Sequence, residues 1–237
     1  MKNILKLTVA GCVFSLATLG TAQAALTSDM YVRGDAGISI PTDLGGTYKS
    51  GGLKSLDNSA YFGLGAGYRL NENFRTDLNI GYMNEFKLSK SFKGSNGGDT
   101  FKQKINSMSV ILNAYYDICD YNNFIPYVTA GIGGARNKTK KATEVFTNAD
   151  GSAVTQTLTQ AGKSKTNFAW NVGLGVMYKF QDNFYVDLGY KYNDLGDLET
   201  KKMAVSQTAA GVQGNTTSAF KSKLKVHNIT LGVIYAF

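Results

Sequence analysis

The sequence predicts an all-β fold: a transmembrane antiparallel up-and-down β-barrel of eight strands. Three observations predict it. Eight segments alternate large apolar residues with small, polar or charged ones. The connections between them are long and short in strict turn. The final segment, LKVHNITLGVIYAF from Leu224 to Phe237, closes on an aromatic residue. Alternation with period two places one set of side chains on each face of a strand.

The elements follow in order. Residues Met1 to Leu19 combine a basic start at Lys2 and Lys6 with a short apolar run, and Ala22-Gln23-Ala24 is a small-residue cleavage pattern. Residues 1–24 are therefore expected to be a cleaved signal peptide, and 25–237 the barrel. Val9-Ala10-Gly11-Cys12 resembles a lipoprotein box, but too few apolar residues separate it from Lys6. Cleavage after Ala24 leaves Cys119 alone, so no internal disulfide is expected. It also removes two lysines and no acid, lowering the formal net charge from +8 to +6. No later apolar stretch approaches the roughly 20 residues a membrane helix needs.

The first strand, about Met30 to Ile40, sets Val32, Gly34, Ala36 and Ile38 against Arg33 and Asp35. The second sets Phe62, Leu64, Ala66 and Tyr68 against Gly63, Gly65, Gly67 and Arg69. The third sets Phe74, Leu78, Ile80, Tyr82 and Phe86 against Arg75, Asp77, Asn79 and Glu85. The fourth sets Met108, Val110, Leu112, Ala114 and Tyr116 against Ser107, Ser109, Asn113 and Asp117. The fifth, about Phe124 to Ala135, shows Val128, Ala130 and Ile132 opposite Thr129, Gly131 and Gly133. The sixth sets Phe168, Trp170, Val172, Leu174 and Phe180 against Asn171, Gly173, Gly175 and Lys179. The seventh sets Phe184, Val186, Leu188, Tyr190 and Tyr192 against Asp187, Gly189, Lys191 and Asn193. The eighth is the terminal segment.

A soluble sandwich also alternates. Here the apolar faces carry aromatics near both ends, as expected of the girdles at two bilayer interfaces. The other face carries charge in mid-strand. Asn71 to Asn73, Asp120 to Asn123 and Gln181 to Asn183 are tight polar turns, whereas about 41–58, 87–104, 136–166 and 194–225 are long connections. Short periplasmic turns and long external loops are the pattern of outer-membrane barrels, and closure follows because lipid cannot satisfy a free strand edge.

The stretches MYVRGDAGIS, FGLGAGYRLNENFRTDLNIGY, FIPYVTAGIGGA, NVGLGVMYKFQDNFYVDLGYKY and HNITLGVIYAF carry a resemblance. They resemble the small eight-stranded bacterial outer-membrane barrel family, which includes opacity-type surface antigens and the transmembrane domains of major structural outer-membrane proteins. Rickettsial-type surface adhesins are similar in layout. The resemblance implies location in the bacterial outer membrane, contact with its lipid and lipopolysaccharide, and Tyr235 and Phe237 as a terminal signal for the barrel-assembly machinery. No second domain for binding peptidoglycan is expected after the eighth strand.

The expected lumen holds Arg33, Arg69, Arg75, Lys179 and Lys191, with Asp35, Asp77, Glu85, Asp117 and Asp187, five charges of each sign. An eight-stranded barrel is only wide enough for its side chains, and charges buried so closely must pair. The expected outcome is a salt-bridged plug; the sharper reading is a narrow gated ion path.

Other chemistries find little support. Gly63 to Gly67 and Gly131 to Gly134 superficially resemble nucleotide-binding loops, but no helix follows either. His227 is the one histidine. It stands on the lipid-facing register near the external rim, where some barrel hydrolases keep theirs, yet position 229 is Ile rather than Ser. No enzyme activity, metal site or cofactor is expected.

Function is therefore expected in the loops. Lys87, Lys90, Lys93, Lys102 and Lys104 face one acid, Asp99, in the second. Arg136, Lys138, Lys140, Lys141, Lys163 and Lys165 face Glu144 and Asp150 in the third. Lys201, Lys202, Lys221, Lys223 and Lys225 face Asp194, Asp197 and Glu199 in the fourth. The external side is basic. Lys90, Lys93, Lys138, Lys140, Lys141, Lys163 and Lys165 are the candidate ligand-binding residues, for host surface glycans or proteins. Nucleic acid is not expected, since no aromatic stacking platform lies among them. A surface antigen or adhesin is the leading reading; a structural barrel, whose lysines serve lipopolysaccharide phosphates, is the alternative, and a narrow pore comes after both.

Overall fold

The computed structural model describes residues 29–42, 56–94, 97–140, 142–148, 158–160, 162–199 and 221–237. The signal segment, Lys141, and most of the first and fourth long connections lie outside these. Eight strands make the barrel: β1 (Met30–Pro41), β2 (Ser59–Arg69), β3 (Phe74–Gly94), β4 (Gly97–Asp117), β5 (Phe124–Thr139), β8 (Ser164–Gln181), β9 (Phe184–Glu199) and β10 (Lys221–Ala236). Two short strands, β6 (Ala142–Asn148) and β7 (Leu158–Gln160), are added outside it. The sheet runs β3-β2-β1-β10-β9-β8-β5-β4, and pairing of β3 with β4 closes the ring. Every barrel pairing is antiparallel.

Parity governs which way each side chain points. Leu64, Ile132 and Leu231 face outward and are about three-fifths exposed at 58%, 61% and 61%. So complete an apolar coat is the surface a barrel offers to lipid. Rings of Phe74 and Tyr116 (5.0 Å apart), and of Phe124 and Tyr178 (4.8 Å), meet near the short-turn end. Trp170, Tyr192 and His227 gather towards the other end.

The short turns show their chemistry. Asn71 Oδ1 accepts the backbone N–H of Asn73 and Phe74, an Asx arrangement that closes a tight bend. Asn122 and Asn123 sit at φ 50° and 70°, a region asparagine tolerates better than bulky residues.

The long-connection end departs from the sequence expectation. Residues 87–104 run largely as strand: Lys87 pairs with Lys104, Lys90 with Phe101, and Lys93 with Gly98. β3 and β4 thus continue as a hairpin beyond the lipid-facing belt, and β6 pairs with the outer part of β4. Backbone pairing satisfies the strands there just as it does in the membrane.

A register shift between Met83 and Phe86 in β3 overturns two further expectations. The extra residue of a bulge reverses the parity beyond it. Phe86 is fully buried inside the barrel instead of facing lipid. Glu85 stands on the outside, where Lys104 and Lys140 contact it, rather than in the lumen.

The interior is layered. Towards the long-connection end it is apolar, with Phe86, Leu88, Ile105, Leu195, Leu198 and Val226 packed in one cluster. Towards the short turns Tyr31, Tyr115, Tyr127, Met177 and Tyr185 form another.

Candidate functional site

The lumen comes first, because it decides whether anything passes through. Arg33 is its hub. Its guanidinium lies 2.7 Å from Asp35, 2.8 Å from Asp187 and 3.5 Å from Asp77, and also donates to the Tyr115 hydroxyl at 3.0 Å. Lys191 Nζ donates to that same hydroxyl at 3.1 Å. Arg75 Nε donates to Asp117 at 3.0 Å, and its guanidinium lies 4.1 Å and 4.9 Å from the Tyr115 and Tyr127 ring centres. Arg69 stands lower, 5.8 Å over the Tyr185 ring. Lys179 lies at the short-turn rim, paired with Asp182 of the turn at 3.2 Å, rather than in a central network.

With Glu85 outside and Lys179 at the rim, four cations (Arg33, Arg69, Arg75, Lys191) face four aspartates. The lumen tyrosines are the residues that the sequence reading overlooked. Their signal was available: Tyr31 shares parity with Arg33, Tyr115 with Asp117, and Tyr185 with Asp187. Together with the apolar layer above, they make up much of the buried interior.

The external rim is where side chains are free to meet partners, and two of its walls differ. On β8 to β10 acids and lysines stand opposite one another: Lys221 with Glu199, Lys223 with Asp197, Lys225 with Asp194. Lys163 Nζ and Lys165 Nζ each lie 2.6 Å from the Glu199 carboxylate, and Lys165 also reaches Asp197 at 2.9 Å. Hydrogen bonds from Lys163 and then Lys165 hold the Glu199 carboxyl down at about 2. Asp197 and Glu199 likewise raise the Lys165 ammonium above its ordinary range. The charge of these two candidate lysines is already neutralised.

On β3 to β5 the balance fails. Lys87, Lys102, Lys104, Arg136, Lys138 and Lys140 are exposed and face outward. Two of them pair with an acid, Glu85, which lies 2.6 Å from Lys104 and is also in contact with Lys140. Those two lysines hold its carboxyl at about 2. Arg136 and Lys138 have no ion-pair partner among the described residues. Lys90 and Lys93 continue the outer part of β3, and Lys141 is outside the described residues.

Three smaller placements complete the site. His227 Nδ1 lies 2.7 Å from the Tyr190 hydroxyl, on the outer face. Cys119 is exposed beside a short turn. Tyr235 and Phe237 meet edge to face at 5.1 Å.

Comparison with known proteins follows the same lines. The outer-membrane protein β-barrel domain model matches residues 9–237. Outer membrane protein PagN of Salmonella typhimurium is 28% identical over the whole of both chains. A candidate adhesin of Rickettsia conorii is 32% identical over 80% of this chain and 73% of its own. Among solved structures, neisserial surface protein A superposes with a TM-score of 0.54 at 18% identity, over 89% of this chain and 98% of that one. Closed ring, outward apolar coat and family match agree, and the chain belongs to the outer-membrane protein β-barrel domain family, at home in the bacterial outer membrane.

Proposed function

We propose that this protein is a surface-displayed attachment protein, and that its β3–β5 wall gathers acidic polymers of a host surface, sulfated glycans above all. The observation that carries the reading is the imbalance on that wall: of six outward cations, Lys104 and Lys140 share Glu85, and the other four have no ion-pair partner among the described residues. Lys90, Lys93 and Lys141 belong to the same stretch of sequence and extend the patch. A field of one sign raises the local concentration of a polyanion and speeds its capture. The rickettsial relatives described as candidate adhesins support the same assignment. No catalytic step enters this function. His227 is engaged by Tyr190, and Ile229 stands where a barrel hydrolase would need a serine.

The test uses refolded protein on a heparin-coated surface. Lys102, Lys104 and Lys140 replaced together by Gln reduce capture about tenfold at low salt, and the parent's capture weakens as salt rises. Equal binding by parent and variant, at both low and physiological salt, would make the structural barrel the better reading.

A further inference from the structure

Above the membrane the β3–β4 hairpin has two unequal edges. β6 takes the edge of β4: Lys102 pairs with Thr143, Thr100 with Val145 and Gly98 with Thr147. On the β3 side, regular pairing with β2 ends at Tyr61 and Met83. One further hydrogen bond, from Asp57 N–H to Lys87 C=O at 2.9 Å, continues it in the same register. β3 itself runs on, paired with β4, as far as Gly94. Beyond Lys87 no described residue pairs with it on the β2 side.

Parity decides which backbone groups are left over. Residues of an antiparallel pair alternate between hydrogen-bonded and non-hydrogen-bonded positions. Lys104 C=O accepts from Lys140 N–H at 2.8 Å, so it points to β5 and away from β3. Its cross-strand partner Lys87 therefore turns its own C=O to the opposite edge, where Asp57 meets it. Ser89, Ser91 and Lys93 lie opposite Lys102, Thr100 and Gly98 and share that orientation. Their N–H and C=O groups make an open ladder, a template for another strand.

The side chains select the strand. On the outward face Lys87 stands directly across from Lys104, and Ser89 across from Lys102, all exposed. Like charges placed so disfavour one another. On the other face Leu88 packs in the same apolar cluster as Leu56. A second copy of this edge would set lysine against lysine, whereas a strand with carboxylates at alternate positions relieves the crowding.

We propose that the outer edge of β3, from Ser89 to Lys93, takes up an extended acidic segment of an extracellular protein as an added antiparallel strand. Backbone hydrogen bonds to Ser89, Ser91 and Lys93 hold the segment, and carboxylates at every second position lie towards Lys87, Lys102 and Lys104. Glycan capture needs the cations alone; strand addition also needs the backbone groups, so either holds without the other.

The test uses refolded protein in detergent and a labelled peptide, Thr-Glu-Val-Glu-Val-Glu-Thr. A second peptide is methylated on the glutamate backbone nitrogens, which face β3, and a third has lysine for glutamate. The first peptide binds and slows hydrogen exchange at the amides of Ser89, Ser91 and Lys93. Methylation weakens binding about tenfold, and the lysine peptide does not bind. Ser89→Pro removes a donor from the edge and leaves the β4 ladder whole, since that N–H is not used there. It weakens binding of the first peptide about fivefold, while capture on heparin stays at the parent's level. Folding of the variant is checked by the gel shift between unboiled and boiled samples. Equal binding of the methylated and unmethylated peptides, binding of the lysine peptide, or unchanged exchange at these amides with the first peptide bound would each overturn strand addition. Loss of heparin capture by the Lys102, Lys104 and Lys140 variant bears on the glycan alone, so the two proposals fail separately.

Discussion

The β8–β10 wall and the β3–β5 wall draw on similar residue types and do opposite things with them. On β9 and β10 the register puts each external lysine across from an acid, and β8 adds Lys163 and Lys165 to the same carboxylates. Opposite charges directly across a strand pair favour it. That wall spends its charge on holding itself together. On the β3–β5 wall one carboxylate, Glu85, holds Lys104 and Lys140, and the other outward cations have no ion-pair partner among the described residues. Charge count and charge availability are different quantities, and strand register separates them.

The comparison breaks most severely at Phe86. Its burial inside the barrel keeps the bulge in place and Glu85 outside. Phe86→Ala is expected to cost about 3–5 kcal/mol, read as a lower urea midpoint for the refolded barrel. Leu198→Ala, buried under the other wall, costs about 2–5 kcal/mol. A Phe86→Ala barrel as stable as the parent would show that the bulge is held by something else.

A smaller change sharpens the contrast. Glu199→Gln releases Lys163 and leaves Lys165 with Asp197 alone, moving the quiet wall towards the basic one. Capture of a heparin-like glycan at low salt should rise about threefold, with little change in stability because the pairs are partly exposed. Unchanged capture would mean that the β8 lysines are shielded by more than their carboxylate.

The least effect comes from acid. Glu85 and Glu199 are each held at about 2, against an ordinary value of 4.5. A carboxyl depressed in the folded state stabilises fully above its unfolded value, and that contribution is lost as pH falls through the folded one. Hydrogen exchange at the external ends of β3, β4, β8 and β9 should therefore be flat above pH 4.5, after correction for intrinsic rates. Protection should decline between 4.5 and about 2. Protection that falls between pH 7 and 5 would contradict these pairings.

Much of this was legible in the sequence. Eight strands, their faces and the short turns follow from period-two alternation, since lipid on one side and a packed lumen on the other tolerate no drift in parity. Above the membrane that constraint disappears. The outer parts of β3 and β4 therefore look like loop, rich in Lys, Ser and Gly, although they pair. A bulge has no side-chain signature, so Glu85 and Phe86 were expected on the wrong faces. The lumen cations Arg33, Arg75 and Lys191 were readable as inward-facing, whereas the partners of Lys163 and Lys165 depend on how β8 and β9 sit side by side.

The continuous strands also bear on how the molecule carries a load. A pull applied to the outer tip of β3 or β4 runs along strands that continue unbroken into the bilayer. Hydrogen bonds of an antiparallel ladder lie across the strand direction, so such a pull loads many of them in shear at once instead of opening them one by one. The apolar packing of Phe86, Leu88 and Ile105 lies along the same path. A cell tethered through this rim transmits tension to its outer membrane through a stiff rod rather than a slack leash.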